Sequence, residues 1–420
     1  MLRSKFAKLA RQSAIQTLGL RAGVVGINFA VMLGLAGLLG FEVFGRLAAL
    51  WGAALVAGTV LSLGGPVILL RLLTDGKGMR ARDICTITLV YPAILALLIY
   101  ACAINLAPTW SWGAILGAGF AANVLACLAS VMRALGSVQA SMALRDAGPQ
   151  VALGLAGVLG PHAAADTIVA SAALTMSALA LCGLIWVCRH KDMSGVLSTI
   201  WRPYWSASLW ASSVLGMVVA QVDLIIGGAV ISAEQLGVYA VLRRVANLVA
   251  LPVTVATWVS APVISAAHGK GDARSLASAS AQGSQIAMWP GLVLFAIAML
   301  AMPLLPLLLP EYADDGLTLI FAILLLGALG QVVFASSFGV ATLCNVPRYA
   351  MMARLGMVVL YLLWFAFWGA DLTATTNAVG YVGALSLGCV ALWWAVWRHL
   401  GVDTSAFVLL NMRRWAWKTS

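Results

Sequence analysis

The sequence predicts an all-α, polytopic membrane protein of about twelve transmembrane helices, in two six-helix lobes related as a parallel repeat. Three observations carry that expectation. Apolar runs of roughly 20 residues recur along the whole chain, long enough to cross a hydrocarbon core about 30 Å thick. Only 9% of the 420 residues are charged and 62% are hydrophobic, with a mean hydropathy of +0.99, whereas a soluble domain carries about 25% charged residues. Basic residues gather between alternate runs and at both ends, the pattern that sets orientation in a bilayer. A backbone in lipid must satisfy its own hydrogen bonds, and runs this continuous select helices over a barrel.

The spans fall at 17–40, 47–73, 84–104, 112–132, 137–160, 167–188, 206–231, 237–266, 284–309, 317–343, 350–370 and 376–397. The fifth holds Arg145, Asp146 and Pro149. It is retained because without it the basic stretch Arg189, Lys191 and Arg202 would face outward. One side then carries Arg3, Lys5, Lys8, Arg11, Lys77, Arg80, Arg82, Arg133, Arg189, Lys191, Arg202, Lys270, Arg274, Arg348, Arg413, Arg414 and Lys418. The other has Arg46 as its only basic residue, with Glu42, Asp166, Glu234, Glu311, Asp314, Asp315 and Asp371. The basic side is expected to be cytoplasmic, with both termini on it. The net charge of +11 is therefore an orientation signal and not a nucleic-acid footprint. Tryptophans near predicted ends, such as Trp110, Trp112, Trp393 and Trp397, fit an interfacial belt. Residues 1–16 read as a basic interfacial segment, because the apolar run after them reaches Gly40 and is too long for a signal peptide. The expected organisation is a lobe at 17–188, a cytoplasmic linker at 189–205, a second lobe at 206–397 and a basic cytoplasmic tail at 398–420.

The parallel repeat rests on a short motif. Glu42, Val43, Phe44 and Gly45 close the loop after the first span, and Glu234, Gln235, Leu236 and Gly237 close the loop after the seventh. Gly76-Lys77-Gly78 follows the first glycine by 31 residues and Gly269-Lys270-Gly271 follows the second by 32. Pro66 and Pro262 lie late in the intervening spans. Six spans separate the copies, so the lobes share one orientation about an axis along the membrane normal.

Several classes are disfavoured. The seven cysteines (Cys85, Cys102, Cys127, Cys182, Cys188, Cys344, Cys389) lie in or beside apolar runs without metal spacing. The four histidines (His162, His190, His268, His399) sit in loops or at helix ends. Neither a metal nor a cofactor is expected. No loop exceeds about 20 residues, and the chain contains no P-loop, HExxH or nucleophile elbow, so catalysis has no obvious seat.

Ionisable groups at membrane depth cost about 2.5–3.5 kcal/mol each on insertion scales, so each needs a reason. The eighth span carries Arg243, Arg244, Asn247, Thr254 and Thr257. At 100° per residue, 243, 247, 254 and 257 share one face. One reading is a cation-lined cavity for an anionic headgroup, since a guanidinium binds phosphate oxygens bidentately. The other is an ion pair between Asp223 and Arg244, which lie at matching depth on antiparallel neighbours. Thr17, Arg21 and Asn28 share a face of the first span, although Arg21 can also snorkel to headgroups. Gln331, Thr342 and Asn345 suit interhelical hydrogen bonds, and Gly19/Gly23 and Gly113/Gly117 suit close packing. Pro66, Pro92, Pro252, Pro262 and Pro290 are expected to kink their helices.

Taken together, Asp223, Leu224, Ile225, Ile226 and Gly227, then Ser232, Glu234, Gly237, Tyr239, Arg244, Asn247 and Pro262, resemble the multidrug/oligosaccharidyl-lipid/polysaccharide exporter superfamily. Within it the likeness is to bacterial polysaccharide-unit flippases of the O-antigen and exopolysaccharide type. Gly23, Gly26 and Asn28, the Phe44-Gly45 loop, and Gly64, Gly65 and Pro66 with Arg71 resemble the first repeat of that family. The resemblance implies two lobes around a central cavity and a multi-pass protein of the bacterial inner membrane. The implied cargo is an undecaprenyl-pyrophosphate-linked oligosaccharide, with membrane lipids and a polysaccharide polymerase or chain-length machinery as partners, and no nucleic acid. It places Arg21 and Arg243 or Arg244 around the pyrophosphate, with Asn28 and Asn247 in the same headgroup cavity, and leaves Asp223 as a coupling or ion-pair residue. The competing expectation is a cation-coupled multidrug exporter of the same superfamily.

Overall fold

The computed structural model describes residues 2–74, 81–106, 109–189, 206–308, 316–344 and 346–408, and its regular structure there is entirely helical. The basic residues at 77, 80, 191, 202, 413, 414 and 418, the acids at 311, 314 and 315, and Asn345 lie outside these residues. The chain divides into two compact units, one comprising 1–217 with 232–237 and the other 218–231 with 238–420.

The first unit begins with α1 (Leu2–Leu61), two helices joined at Gly40. Gly40 takes φ 75° and ψ 160°, a region closed to side-chain-bearing residues, and the break falls where the first predicted span ends. There follow α2 (Gly65–Thr74), α3 (Ala81–Cys85), α4 (Tyr91–Leu106), α5 (Trp112–Ala134), α6 (Val138–Met142), α7 (Gly148–Leu159) and α8 (Ala165–Cys188). The division between units falls within α9 (Ala207–Val230), further along the chain than the expected 189–205 linker.

Proline positions explain the local irregularities. A proline cannot donate to the carbonyl four residues back, and its ring crowds that carbonyl. The chain widens into a π turn just ahead of Pro92, at Thr86–Val90, and again ahead of Pro149, at Ala143–Ala147. Pro66 and Pro252 each stand second in a helix, where no donor is missed. These two open helices instead of kinking them; Pro92 lies within the continuous run 81–106, just after its π turn, and Pro262 and Pro290 lie inside α11 and α12.

Within this unit α1 crosses α5 at close range. A Cβ on Gly58 would stand 2.7 Å from the Gly119 carbonyl oxygen, and one on Gly119 would stand 2.8 Å from that of Ala54. Small residues let helix backbones approach where lipid supplies no hydrophobic drive. The glycines expected to do this behave otherwise. Gly19, Gly23 and Gly113 face open space, and Gly117 only reaches Ala173 at 3.9 Å.

The second unit contains the end of α9, most of α10 (Ala233–Asn247), α11 (Leu251–Gly269), α12 (Ala273–Ala301), α13 (Leu305–Leu308), α14 (Leu317–Val333), α15 (Ala335–Leu343), α16 (Pro347–Trp368) and α17 (Ala374–Leu400). The predicted eighth span is two helices, α10 and α11, separated by tight turns at 248–250. α14 and α15 are bent by 44°. Past Gly401 the chain turns back into the unit: Val402, Thr404, Ser405 and Ala406 are buried. The Ala406 N–H donates to the Val333 carbonyl at 2.8 Å, a carbonyl at the α14–α15 break. The Thr404 and Ser337 hydroxyls lie 2.7 Å apart. The first residues of the expected tail are thus part of the core.

Among the described residues nine helices are long and apolar enough to span a membrane, ten if the bent α14–α15 pair counts as one. The run Gly23–Leu61 holds most of the first predicted span and part of the second. The fifth predicted span is not among the ten, although it is helical from Val138 to Leu159 through the π turn that carries Arg145 and Asp146.

Candidate functional site

The second unit holds a buried polar network on α9, α10, α16 and α17. On α10, Tyr239 and Arg243 stand four residues apart and so share a face, turned towards α9. Asp223 of α9 is fully buried, and its Oδ2 accepts from the Tyr239 hydroxyl at 2.7 Å. Arg243 Nε lies 2.7 Å from the same oxygen, a charge contact in place of a well-aligned hydrogen bond. The Arg243 Nη2 group donates to the Ala220 carbonyl at 2.6 Å and to the Tyr381 hydroxyl at 3.2 Å, and the guanidinium stacks 4.9 Å from the Tyr381 ring centroid. Asn377 of α17 donates to the Asp223 carbonyl at 3.3 Å and accepts from the Tyr361 hydroxyl of α16.

This arrangement corrects two expectations. The partner of Asp223 is Arg243, not Arg244. Matching depth along two helices leaves the azimuth open, and one residue is a turn of 100° about the axis. The polar stripe over 243, 247, 254 and 257 is also interrupted, because the turns at 248–250 change the helical phase; Arg243 is buried while Asn247 is exposed. Arg244 is half-buried and makes no ion pair among the described residues.

Asp223 keeps one buried oxygen, Oδ1, without a hydrogen-bond partner. Burying an ion pair is tolerated only when the remaining hydrogen-bonding capacity is largely met, and the two tyrosines with the Ala220 carbonyl meet most of it. The network is neutral as a whole. Arg244 adds a positive charge with no ion-pair partner among the described residues.

Tyr361, Asn377 and Tyr381 were not singled out from the sequence. The spacing of Asn377 and Tyr381, four residues apart in an otherwise apolar span, is the signal that marks them. Arg354 of α16 was also missed; its guanidinium lies 4.9 Å over the Phe338 ring.

In the first unit Asn28 donates to the Asp146 carbonyl at 3.3 Å, reaching a main-chain oxygen of the π turn. Asn28 Oδ1 and Gln150 Oε1 are buried without hydrogen-bond partners. Arg145 and Asp146 form a loose pair at 3.8 Å. Arg21 lies outside the residues whose side chains are described. No group of three or more His, Cys, Asp or Glu among the described residues is placed to hold a metal ion.

No family model and no curated protein matches the chain by sequence. Solved structures do match it, over nearly its whole length. A multidrug resistance MATE family transporter of the MOP superfamily, inward-facing, aligns over 97% of this chain and 99% of its own with a TM-score of 0.59 at 13% identity. The chain therefore has the fold of MOP-superfamily transporters. A MATE structure in the bent conformation gives 0.60 at 14% identity over 91% and 92% of the two chains. The lipid II flippase MurJ, inward closed, gives 0.61 at 13% identity over 91% and 87%.

Proposed function

We propose that this chain moves an undecaprenyl-pyrophosphate-linked oligosaccharide from the cytoplasmic to the periplasmic leaflet of the bacterial inner membrane by alternating access, in the assembly of an O-antigen or exopolysaccharide. The observation that carries the reading is the division of labour between two adjacent arginines. Arg243 is neutralised by Asp223 inside the second unit, and Arg244 beside it pairs with no acid among the described residues. An unpaired guanidinium at membrane depth is costly unless it meets an anion in the working cycle, and its planar fork suits a pyrophosphate.

The cation-coupled multidrug exporter is the second reading. It is favoured by the unpartnered Oδ1 of Asp223, a buried acid of the kind a coupling ion would use. Against it stands the guanidinium already in contact with that carboxylate.

Reconstituted protein, loaded with fluorescent undecaprenyl-pyrophosphate oligosaccharide, decides between them. Arg244→Gln should cut flipping at least tenfold with folding unchanged, and Arg244→Lys should restore only part of it. Normal flipping by Arg244→Gln, or drug extrusion without flipping by the wild type, would overturn the reading.

A further inference from the structure

The repeated motif around Gly45 and Gly237 has a physical counterpart. The two copies touch each other within the first unit, and the contact is reciprocal. A Cβ on Gly45 would stand 1.8 Å from the Ala233 carbonyl oxygen, and one on Gly237 would stand 2.0 Å from that of Phe41. Each glycine thus lies on the carbonyl four residues before the other. Both have ordinary helical backbones, with neither at positive φ. Nothing local requires glycine at either place; only the close approach does.

Each crossing segment is also the first turn after a joint. The Phe41–Gly45 turn follows the Gly40 break, and α10 starts at Ala233 after the turn at Ser232, whose hydroxyl accepts from the Gln235 N–H at 3.4 Å. The charge map puts Glu42, Arg46 and Glu234 on the outer side. Main-chain packing of this kind is made of individually weak dispersion and Cα–H···O contacts, so it can close tightly and still part.

We propose that this glycine crossing is the outer gate: Ala233–Gly237 lies on Phe41–Gly45 when the outer side is shut and leaves it once in each transport cycle. The proposal rests on the transporter reading above, though not on the identity of the cargo. Adding a methyl group at either glycine forces the segments roughly 1 Å or more apart, since side chains do not overlap main-chain oxygens. It should hold the gate ajar.

The test uses the full chain in proteoliposomes with a thiol introduced by Leu236→Cys, a position fully buried beside the crossing. A membrane-impermeant maleimide is added outside and alkylation is read by peptide mass spectrometry. The native, fully buried Cys127 reports global unfolding. With both glycines intact, labelling at 236 should be slow and measurable. Gly45→Ala or Gly237→Ala should accelerate it at least tenfold while Cys127 stays protected and flipping slows. Gly34→Ala, where a Cβ meets open space, should change nothing. Unchanged labelling with Gly45→Ala would overturn the gate. If the alanine variants expose Cys127, the glycine-intact protein decides: flipping of cargo with no labelling at 236 refutes the gate and leaves the transport reading standing. Labelling without any flipping supports the gate and removes the cargo assignment.

Discussion

Asp223→Asn isolates the ion pair of the second unit. Arg243 would keep the Ala220 carbonyl and the Tyr381 hydroxyl and ring, but its charge would be buried without a counterion. Removing one member of a buried pair costs about 3–5 kcal/mol. Arg243→Gln should cost about as much, because Asp223 would keep only the Tyr239 hydroxyl on its charged oxygen. With both changes no charge is stranded, so Asp223→Asn with Arg243→Gln should recover about 3 kcal/mol of the summed single losses, the upper end of coupling for neighbours. Asp223→Asn with Arg244→Gln should recover none of it. The assay is reversible unfolding in mixed micelles by SDS, followed by the fluorescence of the 16 tryptophans. Additive single effects, or equal coupling of Asp223 to both arginines, would refute the pairing.

Gly119→Ala should sharply reduce the yield of folded protein, while Gly113→Ala should be silent; size-exclusion profiles after extraction check both. Asp272 caps α12, its carboxylate accepting from the Ser275 N–H at 3.0 Å and hydroxyl at 2.6 Å, and these bonds hold its pKa below the usual carboxylate range. A depressed folded pKa stabilises above the unfolded value and is lost as pH falls through the folded one. Hydrogen exchange in the first turn of α12 should therefore speed up at acid pH in the wild type and at neutral pH in Asp272→Ala. A pyrophosphate carries at least two charges, and each is worth about 2.3 kcal/mol per 100 mV, so an inside-negative potential should accelerate outward flipping. Identical initial rates at zero and 100 mV would exclude an electrogenic limiting step. Reporter fusions at Asp166, Glu234 and Asp371 should read periplasmic and those at Lys77, Lys191 and Lys270 cytoplasmic; a cytoplasmic signal at Asp166 removes the fifth span.

The helical membrane class was legible in the sequence because lipid leaves the backbone one local solution, and run length reports it directly. The break at Gly40 was legible for the same kind of reason: helix length is local. So was the duplicated glycine motif, as a pattern. Its meaning was not, because the approach of Gly237 to Phe41 joins residues far apart in the chain, as does that of Gly58 to Gly119. Tertiary structure also decided that Asp223 meets Arg243. Hydropathy and depth constrain position along a helix axis, whereas a salt bridge depends on rotation about it, which the neighbouring turn at Ser232 and the face shared with Tyr239 set. The return of Val402–Ala406 into the core is likewise tertiary. That segment carries no hydrophobic period, and it is held by a broken helix and by hydroxyls on α12 and α15 whose positions only the folded unit determines.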